Sequence, residues 1–186
     1  MSKTILITGG ARSGKSRFAE RLAKDLKGPV LYIATAQAFD EEMKLRIKKH
    51  RESRPPEWAT VESYHGLGKI ISHQGNLYRG VLIDCLTIMV TNLLLEIPAM
   101  QNGDIGSDSM ENAEAVIMDE IKELSLGISR TDADVIIVTN ELGSGIVPEY
   151  PLARIFRDIA GRVNQYMAEQ ADEVYLVVCG IPMRLK

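Results

Sequence analysis

Residues 4–16 read "TILITGGARSGKS", and the fold turns on them. Thr4 to Thr8 are apolar or β-branched, the composition of a buried strand. Gly9 and Gly10 then break the run. Beyond them Phe18, Leu22 and Leu26 recur every four residues, the spacing of one helix face, and Gly28 stands where a helix cap is expected. Within this strand, loop and helix, Gly9, Gly14, Lys15 and Ser16 satisfy the pattern G-x-x-x-x-G-K-[S/T]. The pattern has a mechanism in that setting. Its glycines let backbone N–H groups turn inward around phosphate oxygens, and the helix N-terminus adds positive potential. Lys15 is placed to reach the β and γ phosphates, and Ser16 to ligate Mg²⁺.

Other β-rich runs follow: "VLYIA" (30–34), "VLID" (81–84), "DVIIVT" (134–139) and "EVYLVV" (173–178). They are nearly continuous in apolar residues, as strands of a parallel sheet covered on both faces must be. Helical stripes alternate with them. Ala113, Ile117, Ile121 and Leu124 form one; Ile155, Ile159, Val163, Tyr166 and Met167 form another, opened by Pro151 at a permitted first-turn position. The pattern predicts an α/β fold, a mostly parallel sheet with helices on both faces. Ligands of such folds sit beyond the carboxyl ends of the strands. "IPAMQNGDIGSDS" (97–109) reads as a surface loop.

With 186 residues, the chain is expected to form a single catalytic domain over 1–186. A formal charge of −3 gives no basic field for nucleic acid or an anionic membrane, so a small-molecule partner is favoured. No apolar run is long enough to span a bilayer. The two cysteines, Cys85 and Cys179, each end an apolar run, where a buried reduced thiol and a cytoplasmic setting are the ordinary expectation.

Two further segments point to the same sheet edge. "GVLIDC" carries Asp84 at the end of a strand, where a carboxylate lies near the Mg²⁺ of a nucleoside triphosphate; strand-terminal turns carry Asp as well. "TNELGSGIVPE" (139–149) follows another strand, so Thr139, Asn140 and Glu141 should emerge beside the phosphate loop as ligand contacts or as a plain loop. It lacks the Asn-Lys-x-Asp pattern of switch GTPases, since Glu141 follows Asn140.

"FDEEMKLRIKKHRESRPP" (39–56) surrounds His50 with cations. At about 100° per residue, Phe39, Met43, Ile47 and His50 share one helix face while Lys48 and Lys49 point elsewhere. An inward His50 is a core histidine or a nucleophile. Arg46, Lys49 and Arg51 disfavour the imidazolium, which keeps a lone pair available. His50, His65 and His73 lack the spacing of a zinc site.

"GGARSGKS", "LYIATAQ", "RIKKHRESRP", "MVTNLL", "TNELGSGIVPE", "RDIAGRVNQ" and "ADEVYLVVCGI", in this order, resemble the bifunctional adenosylcobinamide kinase / adenosylcobinamide-phosphate guanylyltransferase family of cobalamin biosynthesis. The resemblance runs from the first strand to the C-terminus. It implies a RecA-like P-loop NTPase fold, a homotrimer, and a corrinoid partner, adenosylcobinamide. It implies two steps: phosphorylation of that corrinoid by ATP or GTP, then transfer of GMP from GTP through a GMP-histidine intermediate, giving adenosylcobinamide-GDP. His50 matches the family's nucleophile, and Lys49 stands where some members carry a second histidine. By the same matching Gly9, Gly10, Ala11, Arg12, Ser13, Gly14, Lys15 and Ser16 hold phosphates. Ala34, Thr35, Ala36, Arg51, Glu52, Ser53 and Arg54 line the nucleotide site. Glu62 and Asp84 contact nucleotide or metal, with Ser16 and Asp84 on Mg²⁺. Asp84 replaces a frequent Glu, which leaves base, ribose and metal all open to it. Against this stand a plain P-loop small-molecule kinase in which His50 merely packs, and a nucleotide-dependent switch.

Overall fold

The computed structural model describes residues 2–37, 44–45, 51, 54–103 and 105–186. Seven strands form one sheet: β1 (Thr4–Thr8), β2 (Val30–Ala34), β3 (Ala59–Glu62), β4 (Gly80–Asp84), β5 (Asp134–Val138), β6 (Glu173–Val178) and β7 (Ile181–Arg184). Their order is β3-β2-β4-β5-β1-β6-β7, parallel throughout except for the β6–β7 hairpin. The helices are α1 (Lys15–Asp25), α2 (Leu67–Gln74), α3 (Leu86–Glu96), α4 (Pro98–Gln101), α5 (Ser107–Ile128) and α6 (Pro151–Gln170). One strand, β5, stands between the strand of the phosphate loop and the strand of Asp84. This is an α/β architecture, a mostly parallel sheet with the phosphate loop at the carboxyl end of β1.

Alternation along each central strand builds two cores. Leu31, Ile33, Val81, Ile83, Val135 and Ile137 face α2, α3, α5 and α6, whose stripes include Ile71, Met89, Ile117 and Ile159. Their neighbours Val30, Tyr32, Leu82, Ile136 and Val138 face the other way, onto Phe18, Ala19 and Ala23 of α1 and onto Trp58. Both faces are thus dry, which is why these strands read as unbroken apolar runs. Both predicted stripes point inward, with Tyr166 only half-buried at its edge.

Three expectations need correction. Gly28 is not the left-handed residue after α1: Lys27 is, with φ 51°. Gly28 is wanted for room, since a Cβ there would lie 2.7 Å from the Cβ of Arg79. The segment 97–109 is not one loop, because Pro98–Gln101 form a helical turn that buries Met100, and α5 begins at Ser107. Cys85 is buried but Cys179 is exposed, one residue past the end of β6 in the tight turn to β7. Strands β3 and β7 leave no such apolar run, being four residues each, β3 with alternate positions exposed and β7 with only Pro182 half-buried.

α2 and α5 meet backbone to backbone. A Cβ on Gly68 would stand 2.0 Å from the carbonyl oxygen of Glu123, and one on Gly127 would stand 2.1 Å from that of Gly68. Neither obstacle is a flexible side chain, so the helices themselves must separate. Gly68→Ala is expected to cost about 3 kcal/mol, the upper part of the range for overpacking, read as a lower urea midpoint at unchanged slope.

Candidate functional site

Among the described residues, five buried side-chain polar atoms have no hydrogen-bond partner: Thr8 Oγ1, Ser13 Oγ, Arg54 Nε and Nη1, and Asn92 Oδ1. Thr8 ends β1, Ser13 sits in the loop after it, Arg54 stacks on Tyr32, and Asn92 is bonded to Thr35 just beyond β2. All belong to the carboxyl edge of the sheet or to groups packed on it. Unsatisfied buried polar atoms are costly, and their concentration at one edge marks where a polar ligand would be received.

The phosphate loop is built as its spacing predicts. A Cβ on Gly9 would stand 2.5 Å from the Val177 carbonyl and 2.7 Å from Ser13 Oγ; Gly14 has φ 95° and abuts Gly180. A side chain at either place would displace backbone. Lys15 is only 8% exposed, and its ammonium donates to the Gly10 carbonyl at 3.0 Å. It therefore lies across the loop that it is expected to serve. Ser16 is half-buried in the first turn of α1.

The centre of the edge is a network. The Tyr32 hydroxyl donates to Asp84 at 2.9 Å. Burial, then the Asp84 charge, raises the pKa of Tyr32 well above the ordinary phenol value, so it stays a donor. Arg54 lies over that ring, with its guanidinium carbon 3.6 Å from the ring centroid, and Trp58 stacks nearby at 6.4 Å between centroids. The Thr35 hydroxyl accepts from Cys85 N–H and donates to the Cys85 carbonyl, both at 2.8 Å, while Asn92 donates to the Thr35 carbonyl. Burial pushes the Cys85 thiol up to about 12, which rules it out as a thiolate nucleophile at neutral pH.

α3 follows this edge. It leaves β4 after Asp84, is tied by Asn92 to the end of β2, and ends at Glu96, which accepts from Tyr64 and pairs with His65 just past β3. Further along, Glu62 at the end of β3 pairs with Arg51. On the β1 side, Glu141 N–H donates to the Gly9 carbonyl at 3.1 Å and Thr139 N–H to Ile7 at 2.9 Å, so "TNE" does emerge beside the loop. Asn164 of α6 fixes it, accepting from Thr139 Oγ1 and donating to the Asn140 carbonyl. The Glu141 carboxylate turns back onto Gly143 and Ser144 N–H groups.

Gly9 through Ser16, Ala34, Thr35, Ala36, Arg51, Arg54, Glu62 and Asp84 therefore share one edge of the sheet, spread along its width. His50, Glu52 and Ser53, and the stripe of Phe39, Met43 and Ile47, lie outside the described residues. Tyr32, Trp58, Asn92, Asn164 and Gly180 were not foreseen as site builders. Tyr32 carried a signal, as the one polar tip within an otherwise apolar strand. Among the described residues no group of three or more His, Cys, Asp or Glu is arranged to hold a metal, and no helix is long and apolar enough to cross a membrane.

A family model described as cobinamide kinase / cobinamide phosphate guanyltransferase matches residues 5–185. The bifunctional adenosylcobalamin biosynthesis protein CobU of Escherichia coli (strain K12) is 50% identical over 184 residues, covering 98% of this chain and 99% of that protein. The protein of the same description from Salmonella typhimurium (strain LT2) is 49% identical over 184 residues, with the same coverage of both chains. The bifunctional adenosylcobalamin biosynthesis protein CobP of Pseudomonas aeruginosa (strain PAO1) is 41% identical over 182 residues, 97% of this chain and 96% of that one. A solved structure from Pyrococcus horikoshii OT3, studied as PH0250, overlays with a TM-score of 0.52 at 10% identity, covering 99% of this chain and 86% of that one. That likeness concerns the fold alone.

Proposed function

The chain belongs to the cobinamide kinase / cobinamide phosphate guanyltransferase family, and from that membership we propose that it is a bifunctional transferase acting on adenosylcobinamide. In the first step the hydroxyl oxygen of the corrinoid's aminopropanol arm bonds to the γ phosphorus of ATP or GTP. The bond from that phosphorus to the bridging oxygen breaks, the hydroxyl proton is released, and a nucleoside diphosphate leaves. In the second, an imidazole nitrogen of His50 bonds to the α phosphorus of GTP and pyrophosphate leaves. A phosphate oxygen of the phosphorylated corrinoid then takes the guanylyl group as the phosphorus–nitrogen bond breaks, giving adenosylcobinamide-GDP.

The observation that carries the reading is the gathering of unpaired buried polar atoms at the edge that also holds the phosphate loop. Loop N–H groups and Lys15 would hold the phosphates, whichever phosphorus reacts. Arg54, with two unpaired N–H groups, supplies a further cation for them. Glu62 and Asp84 are the carboxylates available to accept from guanine N1–H and its 2-amino group, which adenine cannot match. Arg51, next to His50 in sequence, pairs with Glu62 on that side.

Mg²⁺ fits this donor set. One Asp84 oxygen accepts from Tyr32 and the other is left for a cation, Ser16 offers a hydroxyl, and Mg²⁺ takes most of its ligands from phosphate and water. When bound it would spread the charge of the triphosphate. A cytoplasmic setting suits two free thiols, and the resemblance brings a homotrimer, which sedimentation would measure. The reading is tested by supplying adenosylcobinamide, ATP and GTP together. The expected product is adenosylcobinamide-GDP with pyrophosphate; adenosylcobinamide phosphate as the final product would leave a plain kinase.

A further inference from the structure

Across the phosphate loop from Glu62 lies a cavity of about 400 Å³ lined by Gly14, Arg17, Phe18, Arg21 and Gly180, a volume in the range of small-molecule sites. Its walls are fixed. The Phe18 ring meets Tyr175 edge-on with centroids 5.3 Å apart, and the Arg21 guanidinium lies 5.2 Å over the centroid of Phe18. The Gly180 N–H donates to the Ser13 carbonyl at 2.7 Å, which pins the β6–β7 turn onto the phosphate loop. Arg17 and Arg21 are exposed on α1, and among the described residues no carboxylate pairs with either.

The strand order gives this position its meaning. β6 lies directly beside β1, while β5, β4, β2 and β3 extend the other way. At about 4.8 Å per strand, Asp84 is roughly 10 Å and Glu62 roughly 19 Å from the loop strand. The loop thus stands between two places for a nucleoside, one toward Glu62 and one at the Arg17–Arg21 cavity. The two reactions proposed above make opposite demands. A triphosphate whose β phosphate rests in the loop carries its α phosphorus toward its own base and its γ phosphorus away. With the base toward Glu62, the α phosphorus lies over the Asp84 side of the edge. With the base in the cavity, the γ phosphorus lies there.

We propose that the loop accepts triphosphates in two opposed directions, and that the cavity of Arg17, Phe18, Arg21 and Gly180 is a second purine-nucleoside subsite, occupied by the phosphoryl donor of the kinase step. The proposal rests on the bifunctional reading. Guanidinium planes stack on purines of either kind, and the cavity lining holds no carboxylate to select guanine. Base selection then belongs to the Glu62 side alone. One reacting centre serves both steps, and the direction of the nucleotide decides which phosphorus occupies it.

The test crosses two variants, Arg17→Ala/Arg21→Ala and Glu62→Gln. Both change exposed side chains, and circular dichroism confirms folding. ATP affinity is measured by equilibrium dialysis without corrinoid. The arginine variant is expected to bind ATP at least about fivefold more weakly, the loss of exposed guanidinium–ring contacts, and to show the same rise in KM for ATP during phosphorylation. Glu62→Gln is expected to keep its ATP affinity and instead to slow the retention of label from GTP labelled at the α phosphate. Unchanged ATP affinity in the arginine variant would overturn the subsite. So would parallel losses of ATP affinity and label retention in both variants, which would mean a single base site. A wild-type chain that neither phosphorylates adenosylcobinamide nor retains label would refute the functional reading, and dialysis would still decide the subsite.

Discussion

Lys15→Ala is expected to lower the rate of adenosylcobinamide phosphorylation by about 10²- to 10³-fold, the cost of removing one preorganised donor from a charge-developing transition state. The lysine is positioned for this. Its ammonium already lies over the loop, 3.0 Å from the Gly10 carbonyl, inside a protein environment where water competes weakly. Lost with it is the hydrogen bond to the Gly10 carbonyl of the unliganded fold, worth about 1 kcal/mol. Lys15→Arg should not restore the rate, because a planar fork cannot follow the path of a slim ammonium between the loop and α1. Transfer of γ-labelled phosphate from ATP to the corrinoid measures the rate, and a thermal melt separates chemistry from folding. Full activity in Lys15→Ala would remove the lysine from the mechanism.

What could be read in the chain beforehand follows from how local each feature is. The phosphate loop was legible because its constraint is local: Gly9 and Gly14 are required by neighbours within the loop and by the strand beside it, and their spacing repeats the geometry. The five longer strands were legible because both faces are buried. β3 and β7 were not, since "ATVE" and "IPMR" bury little and are strands only by pairing with β2 and β6. The site's inner network was harder still. Thr35, Cys85 and Asn92 bond across separations of 50 and 57 residues, and Arg54 finds Tyr32 by stacking, which leaves no periodic trace. Gly180 reads as an ordinary turn residue until its N–H is seen bound to the phosphate loop. Lys27 took the left-handed position next to a glycine because Gly28 was needed for contact with Arg79, a choice between two glycine uses that a single sequence does not reveal.

His50→Ala is expected to abolish covalent capture of GMP. After incubation with GTP labelled at the α phosphate, wild-type protein should keep acid-labile label through denaturation, and the variant should fall by at least about 10³-fold, as when a nucleophile is deleted outright. Acid lability marks a phosphorus–nitrogen bond, because protonation makes the nitrogen a good leaving group from phosphorus, whereas phosphate esters of serine or threonine survive the same treatment; loss of the label in His50→Ala then distinguishes this histidine from the neighbouring Lys48 and Lys49. The cationic setting argues in the same direction. The sequence sets the cations Arg46, Lys49 and Arg51 close to His50, and neighbouring cations disfavour an imidazolium. Phosphorylation of adenosylcobinamide needs no nitrogen nucleophile, so it should continue in His50→Ala while it fails in Lys15→Ala. That contrast separates a nucleophile from a packing residue: a merely structural His50 would, on removal, disturb both steps together or neither. Label retained at the wild-type level in His50→Ala would show that guanylyl transfer passes through another group or directly to the corrinoid phosphate.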